Sequence, residues 1–150
     1  MIDRFERFSF AISDIYRSWH RIASKETEKY GLKGTYVLYL VTMNRYTEGV
    51  TAKQLAEICI KDKADVSRAI ASMVESGLVE KNGSSYRALL KLTEKGKEAA
   101  QKVCNSACAA VESAGIGVSP AERENFYRTL EQIALNLRAV SAFGISDTDG

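Results

Sequence analysis

The segment Thr51–Thr93, TAKQLAEICIKDKADVSRAIASMVESGLVEKNGSSYRALLKLT, leaves few folds open. Thr51 predicts a helix N-cap, with Gln54 at the capping-box spacing. Val50 and Leu55 stand at the two positions of a hydrophobic staple, and Leu55, Ile58 and Cys59 continue an i, i+3, i+4 stripe. After the short connection Ile60–Lys61, Asp62 predicts a second N-cap. Val66, Ala69, Ile70, Met73 and Val74 then share one face, while Lys63, Asp65, Ser67, Arg68 and Ser72 lie largely on the other. Gly77 suits the left-handed residue that closes a helix. Leu78–Lys81 and Ala88–Leu92 read as strands about an Asn82-Gly83 turn. Two capped amphipathic helices joined by a short turn and followed by a hairpin make a winged helix-turn-helix.

The flanks are helical. Residues 3–30 read as one helix, with Phe5, Phe8, Ile12, Ile15, Trp19 and Ile22 stepping by three and four. Gly31 ends it, and a second helix is expected over Thr35–Arg45. Thr93 predicts the cap of a long helix, Glu94–Ser113, whose apolar residues are mostly small. Ser119-Pro120-Ala121-Glu122 is a strong restart, and Phe126, Leu130, Ile133, Leu137 and Val140 form a further seam. The expected class is mainly α (α+β): a single domain over 1–150, with a winged helix-turn-helix at 32–93 and a helical dimerisation region at 3–30 and 94–143. The seams exceed what a compact winged helix needs, which points to a twofold homodimer through Phe5, Phe8, Ile12, Phe126, Leu130, Ile133 and Leu137. The competing reading is a monomer whose terminal helices cover its own core.

Charge narrows the function. The net value is only +2, which excludes a polybasic coat for nucleic acid. Val50–Lys97 holds nine Lys/Arg against six acids, so the modest excess sits on the segment that holds the helix-turn-helix and its hairpin. No apolar run approaches the roughly 20 residues of a membrane span. The opening MIDRFERF has early acids and no apolar stretch of a secretory signal. Three cysteines without zinc-finger spacing suit a reducing cytoplasm. With one histidine, His20, no glycine-rich phosphate loop and no ligand set, neither enzyme, metal nor cofactor is expected.

Several words of the chain coincide with one family. Thr51 opens a T-x-x-x-L-A pattern, and Asp62-Lys63-Ala64-Asp65-Val66-Ser67-Arg68, Gly77-Leu78-Val79-Glu80 and Leu92-Thr93-Glu94-Lys95-Gly96 follow at familiar separations. Over nearly its whole length the chain resembles the MarR family of bacterial transcriptional regulators. The resemblance implies a homodimer on a pseudo-palindromic operator, usually a repressor, released by a small phenolic or lipophilic ligand or by an oxidant. It also implies an effector cleft, for which Trp19, Tyr36, Tyr39 and Met43 are candidate lining residues, with plain core as the alternative. Two departures stand out. Ser84 and Tyr86 fall where the family's wing carries an Asp-x-Arg pair, with Arg87 one place later, and Ser72 stands where many relatives are basic. Either Arg87 takes the wing role through a register shift, or minor-groove reading is weakened.

In the second helix of the motif, Lys63, Ala64, Asp65, Ser67 and Arg68 are the candidate major-groove residues. Arg68 suits a guanine edge or a phosphate, Ala64 a thymine methyl, and Asp65 either a cytosine amine or its own helix start. Thr51, Lys53 and Gln54 are candidates for phosphates, as are Lys81, Arg87 and Lys91 from the wing. Cys104 and Cys108, i and i+4, are either core or a thiol sensor on the same fold; Cys59 reads as core. A winged-helix protein-interaction module with lost or weak DNA binding is the remaining alternative.

Overall fold

The computed structural model describes residues 2–83 and 87–145. Its helices are α1 (Ile2–Glu28), α2 (Val37–Arg45, entered through a 3-10 turn at Gly34–Tyr36), α3 (Ala52–Cys59), α4 (Lys63–Glu75), α5 (Glu94–Ala114) and α6 (Pro120–Phe143). Strands β1 (Val79–Asn82) and β2 (Leu89–Leu92) lie between α4 and α5. This is a mainly α, winged helix-turn-helix architecture.

Local chemistry explains the boundaries. Thr51 Oγ1 accepts from the Gln54 backbone N–H at 3.2 Å, and Gln54 Oε1 accepts from the Thr51 N–H at 2.9 Å, closing a capping box on α3. Asp62 Oδ1 accepts from the Asp65 N–H at 2.8 Å to start α4. Ser119 and Glu122 form a second capping box, with Pro120 in the first turn of α6. Between α3 and α4 the chain turns on Ile60, whose φ is +54°. A β-branched residue in the left-handed region carries about 1–2 kcal/mol of strain. The helix expected from Thr35 instead opens with the 3-10 turn, because Gly34 lies directly on α1: a Cβ there would sit 2.8 Å from the Ser24 backbone nitrogen.

The hairpin begins at Val79, one residue later than expected. The Leu78 N–H is taken by the Met73 carbonyl at 2.9 Å and the Leu78 carbonyl by the Thr93 N–H at 3.0 Å, so Leu78 closes α4 instead of joining the ladder. β1 and β2 run antiparallel, with Val79 opposite Leu92 and Asn82 opposite Leu89. Val50 pairs with Leu90 on the other side of β2, through bonds of 3.1 and 2.9 Å. The wing is therefore tied to the loop that precedes α3. Ser84, Ser85 and Tyr86 lie outside the described residues, and so does the expected alignment of Ser84 and Tyr86.

The main core joins α2, α3, α4, both strands and the start of α5 through Tyr39, Leu40, Leu55, Val66, Met73, Leu78, Leu90 and Ala100, all fully or almost fully buried. A smaller cluster of Ala23, Val37 and Val103 links α1, α2 and α5. The chain divides into two units, Met1–Ala109 and Ala110–Gly150. In the first, α1 keeps its apolar seam in solvent, with Phe5 72% and Phe10 70% exposed and Phe8, Ile12, Ile15, Trp19 and Ile22 also exposed. In the second, α6 buries no residue; Phe126 and Leu137 are each 50% exposed, while Leu130 and Ile133 are half-buried. Arg123 ties the α5–α6 turn, with Nη1 2.9 Å from Glu112 Oε2 and Nη2 donating to the Gly115 carbonyl at 3.2 Å. No helix among the described residues is long and apolar enough to cross a membrane.

Candidate nucleic-acid interface

Helix α4 divides sharply. Val66, Ala69, Ile70 and Met73 enter the core, which leaves Lys63, Ala64, Ser67, Arg68 and Ala71 exposed on the opposite side. These outward residues comprise two cations, a hydroxyl and two methyls, the groups that phosphates, base edges and thymine methyls engage. Arg68 is 64% exposed, and its Nη2 lies 3.7 Å from Asp65 Oδ1, one helical turn back.

Asp65 is not simply part of that face. Its other oxygen, Oδ2, accepts a short hydrogen bond from the Tyr39 hydroxyl. Tyr39 belongs to α2 and is fully buried, so an element of the core holds a carboxylate at the edge of the outward surface. Burial, and then the adjoining Asp65 carboxylate, push the Tyr39 phenol above its ordinary range. The hydroxyl therefore stays protonated, and a donor, at any pH at which the protein works. Sequence reasoning had no route to this pair: the partners are 26 positions apart and neither residue type announces the other.

The other sequence candidates divide by what their side chains already do. Thr51 and Gln54 are committed to each other in the α3 cap, whereas Lys53 is exposed and lies 3.9 Å from Glu57. An exposed pair at that distance contributes well under 1 kcal/mol and leaves the ammonium accessible. In the wing, Lys81 and Arg87 are exposed. Lys91 is half-buried: it runs beside Gly49 and lines an open groove of about 970 Å³ with Met43, Asn44, Tyr46, Thr47 and Glu80.

The four residues proposed for an effector cleft are not brought together. Tyr36, Tyr39 and Met43 are buried in the main core, with the Tyr36 and Tyr39 rings 6.1 Å apart. Trp19 stands apart from them, on a cavity of about 10 Å³ with Ile22, Ala23, Glu26, Val37, Val103 and Ala107. That space matches about one water. Cys104 is half-buried and Cys108 exposed, so the small-residue face of α5 leaves the core after Val103. Burial, with the neighbouring Cys108, raises the Cys104 thiol above its usual value, which lowers its thiolate fraction and its reactivity. Cys59 is buried, with its Sγ 3.4 Å from Thr42 Oγ1.

A MarR family model matches residues 30–86, the segment that holds α2, α3, α4 and β1. No curated protein sequence matches the chain. Among solved structures, a MarR transcriptional regulator from Methanosarcina mazei Go1 is 26% identical, with 90% of this chain and 92% of that one aligned and a TM-score of 0.75. A putative MarR family regulator from Listeria monocytogenes, solved with a 26mer DNA, is 23% identical over 91% and 95% of the two chains, with a TM-score of 0.77. CouR from Rhodococcus jostii RHA1, bound to p-coumaroyl-CoA, is 21% identical over 85% and 91%, with a TM-score of 0.72. The central segment thus carries the sequence pattern of the MarR family, and nine-tenths of the chain takes the fold of MarR transcriptional regulators.

Proposed function

We propose that this chain is a homodimeric repressor that places one α4 per subunit in successive major grooves of a pseudo-palindromic operator. The observation that carries the reading is the outward face of α4, with Lys63, Ala64, Ser67 and Arg68 exposed on a helix whose opposite side is locked into the core. The Listeria relative was solved with DNA, which makes duplex DNA the natural partner to test. Dimerisation draws its support from the apolar residues left in solvent along α1 and α6, since a contiguous exposed apolar seam marks an interaction surface.

Release by a small aromatic or lipophilic ligand is the second half of the proposal, and CouR was solved with p-coumaroyl-CoA, whose acyl group is aromatic. The cavity beside Trp19 is too small to admit such a molecule as it stands. A ligand entering there has to part Trp19 and Ala23 from Val103 and Ala107, and so act on α1 and α5.

Duplex from immediately upstream of the protein's own gene, compared with random duplex at two salt concentrations, tests the core of the reading. Binding is expected to favour the upstream duplex and to weaken steeply with salt, as phosphate contacts release counterions. Equal, weak binding to both at either salt would favour the protein-interaction alternative. Arg68→Ala is expected to weaken binding to the preferred duplex by about 1–3 kcal/mol through loss of a base-edge contact. An equal loss on random duplex, measured by fluorescence anisotropy, would reassign Arg68 to a phosphate.

A further inference from the structure

We infer that the buried hydroxyl of Tyr39 is a positioning group for DNA readout, fixing the Asp65 carboxylate so that it directs Arg68 rather than reading a base itself. The inference rests on the proposed placement of α4 in a major groove. Its basis is the occupancy of Asp65. Oδ2 accepts from Tyr39 Oη, and Oδ1 faces Arg68 Nη2 at 3.7 Å. The backbone of Asp65 is fixed as well, its N–H donating to Asp62 Oδ1 at 2.8 Å. The carboxylate is thus oriented by neighbours in its own chain, a hydroxyl on one oxygen and a guanidinium facing the other.

The asymmetry of the chain of contacts gives its direction. Tyr39 is immobilised by the core, Asp65 is half-buried, and Arg68 is 64% exposed. Order therefore passes outward from the packed end to the free end. A guanidinium on a long stem samples many rotamers in water, and each kcal/mol of that freedom is lost again when it docks on a base. A fixed anion one turn back narrows the ensemble beforehand. It also pairs the negative charge of Asp65, which would otherwise repel the phosphates.

Tyr39→Phe removes the hydroxyl and keeps the ring, and Asp65→Asn keeps the shape while removing the charge that draws Arg68. Wild-type protein is first used to select its preferred duplex from a randomised pool. Anisotropy then measures wild type, Tyr39→Phe, Asp65→Asn, Arg68→Ala and Tyr39→Phe/Arg68→Ala on selected and random duplex, with melting curves for each variant. Tyr39→Phe and Asp65→Asn are each expected to lower the ratio of selected to random affinity roughly five- to tenfold, the lower part of what one base-edge contact supplies. Binding of Tyr39→Phe to random duplex stays level. In the Arg68→Ala background, Tyr39→Phe is expected to change nothing further, because its effect passes through Arg68. A role in fold stability alone would act equally in both backgrounds, and that result overturns the inference. So does an unchanged ratio for both single variants, or a loss for Tyr39→Phe that Asp65→Asn does not share. Failure of the wild type to select any duplex would instead overturn the DNA-binding reading beneath it.

Discussion

Gly96→Ala is expected to lower the melting temperature by about 6–12 °C, at about 2–4 °C per kcal/mol for a chain of this size. Gly96 stands in the first turn of α5, pressed against the end of α4: a Cβ there would lie 1.9 Å from the Leu78 carbonyl oxygen and 2.9 Å from its carbon. Backbone cannot yield as a side-chain tip can. The contact is also the centre of a clamp. Thr93 Oγ1 donates to the Gly77 carbonyl at 2.7 Å and accepts from the Gly96 N–H at 3.0 Å. Lys95 Nζ donates to the Ser76 carbonyl at 2.8 Å, and the Thr93 N–H donates to the Leu78 carbonyl at 3.0 Å. Overpacking at such a site costs about 3 kcal/mol. Forcing Leu78 away sacrifices about 1 kcal/mol more from its hydrogen bond. Alanine's better helix propensity returns at most about 1 kcal/mol. The net loss is about 3 kcal/mol, read by calorimetry or circular dichroism. A melting temperature within a degree of wild type would mean that α4 and α5 do not meet at Leu78.

Leu137→Asp is expected to turn the proposed dimer into a monomer in sedimentation. Leu137 is half exposed in the single chain, so the substitution leaves the fold of one copy nearly unperturbed, within about 0.5 kcal/mol. In a twofold interface the same change is felt twice. Burying an unpaired carboxylate costs at least about 2 kcal/mol per copy, or about 4 in the dimer, which raises the dissociation constant about a thousandfold. Sedimentation velocity at micromolar protein separates the outcomes. A dimer that survives the change would remove the α6 seam from the interface and leave Phe5, Phe8 and Ile12 of α1 to carry it.

What was legible in the sequence was what the chain settles within a few residues. Thr51, Asp62 and Ser119 each cap a helix through an N–H three positions on, so type and spacing suffice. The words Asp62–Arg68 and Leu92–Gly96 were equally visible, but the reason for the second was not. Thr93 and Gly96 serve a contact with Gly77 and Leu78 that only folding creates. The same holds for Tyr39 and Asp65. Tyr36, Tyr39 and Met43 show the opposite limit: apolar and aromatic residues at helical spacing describe a cleft wall and a core equally well; all three are buried in the core, and Met43 also borders the open groove beside Lys91.

The pairing of Val50 with Leu90 has a consequence for how the protein keeps apart from its own kind. It occupies one margin of β2 at Leu90, while β1 pairs along the other, so among the described strands β1 presents the longer open row of peptide groups. That row is four residues long, and after buried Val79 it consists of Glu80, Lys81 and Asn82, all exposed. An open strand margin recruits other strands when it is long, flat and apolar. Here brevity and two opposed charges make the margin a poor template for a further strand.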